Sequence, residues 1–230
     1  MATGLLVLGV GRATRLLTYL VGADKTYEAT VRLGQETTTE DAEGGVTTAR
    51  GCRIDDLPAA RLDEALDRLT GPIQQVPSAV SAIRVDGMRS YERVRRGQDV
   101  ELRGRPRAAA AVNGNGTVGA AGEAGSVGSV GAADTVEVVD IDLRVACSSG
   151  TYVRALARDL GAALGCGAHL TALRRTRVGP FGVDEAATLG ALSARVESDA
   201  AAARPRGLSV LPVPTAARRC FEAVELTGSE

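Results

Sequence analysis

The chain has 230 residues, 44% of them hydrophobic, which is enough for one large domain or two modest ones with a substantial core. Its formal net charge of −1 argues neither for nor against a polyanionic partner. No stretch approaches the roughly 20 apolar residues of a membrane span, so the sequence predicts a soluble protein with no membrane partner.

The opening residues, MATGLLVLGVGRATRLLTYL, enter an apolar run from Leu5 to Val10 almost at once. A secretory signal needs basic residues before such a run, whereas the first one, Arg12, follows it. We therefore expect a buried strand whose lead-in is missing, followed by a short helix over GRATRLLTYLVG. The four cysteines form no CxxC pair, which predicts reduced thiols in a cytoplasm and no metal cage.

Strand and helix patterns follow one another without a regular rhythm. DKTYEATVRLG places Tyr27, Ala29, Val31 and Leu33 on one face of a strand, and LPAARLDEALDRLTGP predicts a helix. Later, DTVEVVDIDLRVAC and AHLTALRRTRVG alternate as strands on either side of an amphipathic helix over TYVRALARDLGAALG. The order predicts an α+β fold with a mixed sheet, because the regular βαβ order of a doubly wound fold is absent.

Residues 108–133 are mostly alanine and glycine and carry almost no large side chains. Such a segment buries too little apolar surface to offset its ordering entropy, so it is predicted to be a disordered surface insertion. Arginine is concentrated in two other segments, 84–107 and 147–179. Together they could form a phosphate-facing surface, but an ordinary solvated surface explains the same pattern.

Two short motifs carry little chemistry. GVGRAT begins like a dinucleotide-binding fingerprint but has Thr14 where the third glycine is needed. The sole histidine, His169, has no Ser or Cys at a spacing that would indicate a catalytic pair. The turn CSSG is more informative, because it delivers Tyr152 and Arg154 to the start of a helix. In one interpretation both side chains project into a cleft. In the other, the ring of Tyr152 packs against its neighbours and Arg154 is a solvated helix residue.

Four long segments, in this order, resemble the bacterial tRNA pseudouridine synthases that modify uridine 55 in the T-loop. They are ATGLLVLGVGRATRL, DKTYEATVRLGQETTTEDAEG, VPSAVSAIRVDGMRSYERVRRG and SSGTYVRALARDLGAALGCGAHLTALRRTRVG. The resemblance runs from Met1 to about Leu192, apart from the insertion. It implies the pseudouridine synthase catalytic fold, with a mixed, largely antiparallel sheet flanked by helices.

The resemblance also implies an activity and its residues. A uridine is flipped out, its N-glycosidic bond is cleaved, and the base turns and is rejoined through C5, with no metal or cofactor. Arg154 matches the arginine that pairs with the essential aspartate, and Tyr27 matches the tyrosine that lies against the base and serves proton removal from C5. The implied substrate-binding residues are Tyr152, Leu173, Arg174 and Arg84. The implied partner is the T-arm of tRNA, and the implied state is a monomer.

In this family a Gly-Thr-Leu-Asp-Pro segment precedes the stretch that resembles residues 1–4, and its Asp is the catalytic carboxylate. That Asp would lie two positions before Met1, so the chain is interpreted as truncated at both ends. Residues 1–195 are the expected catalytic domain without its N-terminal part, 196–212 a linker, and 213–230 the first, strand-bearing part of a truncated C-terminal RNA-binding domain.

Neither Asp24 nor Asp41 matches the catalytic aspartate, so Arg154 is expected to lack its carboxylate partner in the chain as it stands. The alternative to an enzyme is a catalytically inactive tRNA-binding or tRNA-folding protein. The presence of Tyr27, Tyr152 and Arg154 together favours the enzyme.

Overall fold

The computed structural model describes residues 2–81, 83–85, 87–96, 102–121, 136–222 and 224. In chain order its strands are β1 (Ala2–Gly4), β2 (Lys25–Leu33), β3 (Gln35–Thr37), β4 (Val46–Ala49), β5 (Gly71–Gln75), β6 (Arg84–Val85), β7 (Met88–Arg89), β8 (Arg105–Ala121), β9 (Val138–Cys147), β10 (Ala168–Val178) and β11 (Phe181–Gly182). Its α-helices are α1 (Leu17–Val21), α2 (Ala59–Arg68), α3 (Ser90–Arg95), α4 (Val153–Leu164), α5 (Leu189–Ala200) and α6 (Val213–Cys220). Within these residues, no helix is both long and apolar enough to cross a bilayer.

One central sheet organises the molecule, with the strand order β1-β10-β2-β9-β8-β5 and β11 added beside β10. Only β1 runs parallel to its neighbour; the other adjacent pairs in this sheet are antiparallel. The predicted α+β fold with a mixed, largely antiparallel sheet is therefore confirmed. Two small hairpins, β3–β4 and β6–β7, lie outside this sheet.

The core lies between one face of this sheet and the helices α2 and α4. Alternation along β2 buries Ala29, Val31 and Leu33 toward the helices, as the sequence predicts. Helix α4 presents its predicted apolar face and approaches the start of β10 closely at Gly161. A Cβ at that position would overlap the backbone of Gly167 and Ala168, so only glycine permits this contact.

The apolar run at the start of the chain differs from the prediction of a buried strand. Strand β1 ends at Gly4, and after the hydrogen bond from Leu5 N to Arg175 O the chain leaves the sheet. Leu5 is buried, whereas Leu6, Leu8 and Val10 are 68%, 73% and 72% exposed. The predicted helix that follows is present as a 3-10 helix over Gly11–Leu16 and the helix α1.

The Ala- and Gly-rich segment also differs in part from the prediction of disorder. Residues 108–121 belong to β8, which pairs with β5 and β9, whereas 122–135 lie outside the described residues. Backbone hydrogen bonds along a strand need no large side chains, so composition alone did not reveal it. Residues 196–200 of the expected linker lie in α5, and 213–220 form α6 rather than a strand.

Leu160 lies on the buried face of α4 and is fully buried, so truncating it should create a cavity in this core. We expect Leu160→Ala to lower the free energy of unfolding by about 2–5 kcal/mol, measured by urea denaturation. The matched control is Leu189→Ala, because Leu189 is exposed and should change stability by less than about 0.5 kcal/mol. Equal effects of the two variants would contradict this assignment of the core.

Candidate active site

Arg154, in the first turn of α4, connects three segments of the chain. Its Nη1 donates to Asp41 Oδ2 and to the Thr39 carbonyl, both at 3.1 Å, and its Nη2 donates to the Val80 carbonyl at 2.6 Å. The Asp41 side chain is only 8% exposed, and its Oδ1 accepts from Thr39 Oγ1 at 2.6 Å and from Glu43 N at 3.1 Å. Both groups of this ion pair are thus held in fixed orientations.

The expectation that Arg154 would lack a carboxylate partner is therefore wrong. Asp41 lies 113 residues away in the connection between β3 and β4, and that connection forms a parallel bridge to Leu170 of β10. Tertiary folding brings the two groups together, which no spacing in the sequence could show. A signal did exist, because Asp41 lies within DKTYEATVRLGQETTTEDAEG, one of the segments that carry the family resemblance.

A second arginine lies one helical turn further along α4. Arg158 Nη1 donates to Glu40 Oε1 at 2.8 Å, its Nη2 to the Val76 carbonyl at 2.8 Å, and its Nε to Asp159 Oδ1 at 2.9 Å. Burial disfavours the charged guanidinium, but the carboxylates of Glu40 and Asp159 outweigh it and raise the pKa of Arg158. Sequence reasoning missed both Arg158 and Glu40.

Tyr27 and Leu173 pack against the core on the sheet face that α4 covers. Burial raises the pKa of the Tyr27 hydroxyl above its usual value, although a hydrogen bond with Arg175 acts in the opposite direction. Arg175 is fixed in turn, because its Nε donates to the Leu5 carbonyl at 2.8 Å. The structure thus places Tyr27, Leu173 and Arg154 on one side of the sheet, with Tyr27 as an uncharged phenol at neutral pH.

The backbone of Tyr152 is fixed by a buried side chain that sequence reasoning missed. Gln75, at the end of β5, accepts from Tyr152 N at 2.8 Å through Oε1 and donates to Tyr152 O at 3.0 Å through Nε2. The start of α4, and with it Arg154, is thereby attached to the sheet.

Arg174 and Arg84 are the other predicted site residues. Arg174 is exposed and, by strand alternation, points away from the face to which Leu173 belongs. It lines a pocket whose polar and charged side chains also include Glu28, Thr30, Asp142 and Arg144. Arg84 lies in β6, opposite Arg89 of β7. The structure does not bring Arg174 to Arg154.

His169 is buried, and its Nδ1 lies 3.0 Å from the Gln35 carbonyl, which gives this side chain a structural contact. In the described part of the chain, no group of three or more His, Cys, Asp or Glu side chains is arranged to hold a metal ion.

The fold is that of the pseudouridine synthase class. The structure resembles a chain of the crystal structure of a Cbf5-Nop10-Gar1 complex, with a TM-score of 0.54 and 25% identity, over 85% of this chain and 43% of that one. Residues 1–153 match the model of the TruB family pseudouridylate synthase (N terminal domain), and 154–216 match that of the tRNA pseudouridylate synthase B C-terminal domain. The chain belongs to the TruB family of pseudouridylate synthases.

Its relatives include the tRNA pseudouridine synthases B of Paenarthrobacter aurescens (strain TC1) and Thermobifida fusca (strain YX), at 50% and 46% identity. Both matches cover 100% of this chain but only 65% and 70%, respectively, of the relative. The chain thus spans less than two thirds of the first of these relatives. The predicted limits of its domains stay predictions.

Removing one partner of the Arg154–Asp41 pair should destabilise the fold, because the other charge stays buried. We expect Arg154→Met to cost about 3–5 kcal/mol in the free energy of unfolding. The double variant Arg154→Met/Asp41→Asn should recover part of this loss, as measured by urea denaturation. Additive losses in the double-mutant cycle would show that the two side chains are not coupled.

The ionisation of Tyr27 can be followed by absorbance during an alkaline titration. Subtracting the titration of Tyr27→Phe from that of the wild type should give a curve with its midpoint above the ordinary value of about 10. The protonated hydroxyl should contribute its full stabilisation below the unfolded-state pKa of about 10. This contribution should disappear as the pH rises through the higher folded-state pKa. A midpoint at or below the ordinary value would contradict the burial of this hydroxyl.

Proposed function

We propose that this chain is the catalytic part of a tRNA pseudouridine synthase that converts uridine 55 in the T-loop of tRNA to pseudouridine. Membership of the TruB family supports this assignment. The observation that carries it is the Arg154–Asp41 pair, which lies at the edge of the sheet toward which the start of the chain points.

The direction of β1 supports a catalytic carboxylate at this place. Strand β1 runs parallel to β10 with Ala2 opposite Leu173, and Asp41 forms a bridge to the same strand at Leu170. A residue two positions before Met1 lies three residues before Ala2, which is about 10 Å along an extended strand. The family's catalytic aspartate would therefore emerge near Leu170, within reach of the Arg154 guanidinium.

In this proposal the Arg154 guanidinium pairs with two carboxylates that have different roles. Asp41 orients the guanidinium, and the upstream aspartate acts on the substrate in its ionised form, which the positive charge favours. The N1–C1′ bond of the uridine breaks, the base turns, and the C5–C1′ bond forms. C5 then loses its proton and N1 gains one, so the reaction is an isomerisation that consumes no cofactor.

Tyr27 is proposed to lie against the base during this rotation. Its raised pKa means that the hydroxyl is protonated at neutral pH and is not a permanently ionised base. Its oxygen is proposed to assist the removal of the proton from C5. Leu173, on the same face, offers part of the apolar surface that a flipped base needs in place of its lost stacking. Tyr152 is proposed to complete the lining of the pocket.

The substrate is proposed to be recognised mainly through the shape and phosphates of the T-arm. Arg84, whose backbone lies in β6, and Arg174, which is exposed, are proposed as RNA contacts. A cytoplasmic monomer is the state we propose for the protein.

The decisive experiment is tritium release from unmodified tRNA that carries 5-tritiated uridine. We expect release by a chain extended upstream through Asp-Pro, and none when that Asp is changed to Asn. Binding of tRNA by both proteins without release would instead support the inactive tRNA-binding alternative. Release by the 230-residue chain alone would show that another carboxylate performs the reaction.

A further inference from the structure

The site contains a second ion pair that repeats the geometry of the first. Arg154 and Arg158 lie one turn apart on α4 and contact the adjacent residues Asp41 and Glu40. Each guanidinium also donates to a backbone carbonyl of the same loop, at Val80 and Val76. The helix thus holds the connection between β3 and β4 and the loop after β5 through two parallel sets of contacts.

The backbone at Glu40 explains how two adjacent acids reach the same helix. Along an extended chain, neighbouring side chains point to opposite sides. Glu40 has a φ of 61°, in the left-handed region that residues other than glycine rarely adopt. Its carbonyl accepts from Leu170 N at 3.1 Å, which holds this turn against β10.

The Glu40–Arg158 pair is not arranged for maximal stability. Glu40 Oε2 is buried and has no hydrogen-bond partner within the described part of the protein, and the backbone of Glu40 is in a strained conformation. Strained and unsatisfied groups of this kind persist where the surrounding contacts hold them in place, and they cluster at functional sites.

We propose that Glu40 and Arg158 are positioning residues that orient the Asp41 carboxylate toward Arg154. The inference rests on the proposed function, in which Arg154 must be aligned with the catalytic carboxylate. Loss of the Glu40–Arg158 pair lets the segment around Thr39 and Asp41 rotate, so the chemical step slows while RNA binding is retained. The effect therefore falls on kcat rather than on KM.

The test uses the upstream-extended enzyme with the variants Glu40→Gly and Arg158→Met. Glycine accommodates the left-handed backbone, so Glu40→Gly removes the carboxylate while relieving the strain and should leave the melting temperature close to that of the wild type. We expect kcat for tritium release to fall about tenfold or more in both variants, since small misplacements of catalytic groups are costly, with KM within about twofold. Glu40→Gln, which keeps a hydrogen bond to Arg158, should retain most of kcat.

The matched control is Arg32→Met, because Arg32 forms a similarly half-buried pair with Asp140 through two hydrogen bonds, outside this site. Its kcat should stay within about twofold of the wild type. The proposal is overturned if Glu40→Gly and Arg158→Met behave like this control, or if the kcat of the variants simply follows their melting temperatures.

A second measurement separates this inference from the proposed function. The ¹⁵N shift of the Arg154 guanidinium reports its carboxylate partner in the absence of any reaction. It should move in Glu40→Gly and Arg158→Met but not in Arg32→Met. An inactive wild-type enzyme with these shifts would reject the proposed function and keep the positioning role, whereas unmoved shifts would reject the positioning role.

Discussion

The ion pair between Arg154 and Asp41 is the interaction on which the rest of the site depends. It joins the start of α4 to the connection between β3 and β4, and its third contact, to the Val80 carbonyl, adds the loop after β5. A charged pair with so little exposure recovers its desolvation cost only when its geometry and hydrogen bonds are good. Here Thr39 and the backbone of Glu43 complete that geometry.

The central sheet positions the residues that surround this ion pair. Strand β10 carries Leu173 toward the core, pairs with β2 beside Tyr27, and offers its free edge both to β1 and to Asp41. The aromatic ring, the apolar surface and the guanidinium therefore reach one side of the sheet from three different elements. A reaction that needs a flipped base beside an ionised carboxylate requires this combination of apolar and charged surfaces.

The sequence predicts those elements whose side chains follow a clear period, such as the strand around Tyr27 and the apolar face of α4. The structure of Leu5–Val10 could not be predicted in this way, because an apolar run does not reveal whether another strand is available to pair with it. The structure of residues 108–121 could not be predicted either, because it depends on backbone hydrogen bonds rather than on side chains. Asp41 required tertiary structure, since its role arises from a contact with a residue 113 positions away.

The central claim is that Arg154 is shared by Asp41 and a catalytic carboxylate beside the flipped base. It is tested most directly by a crystal structure of the upstream-extended chain with a T-loop RNA whose target carries 5-fluorouridine, because fluorine at C5 blocks the final proton removal. We predict both carboxylates within hydrogen-bond distance of Arg154, with the base against Tyr27. A base bound on the face that carries Arg174, or an upstream aspartate remote from Arg154, would contradict the account.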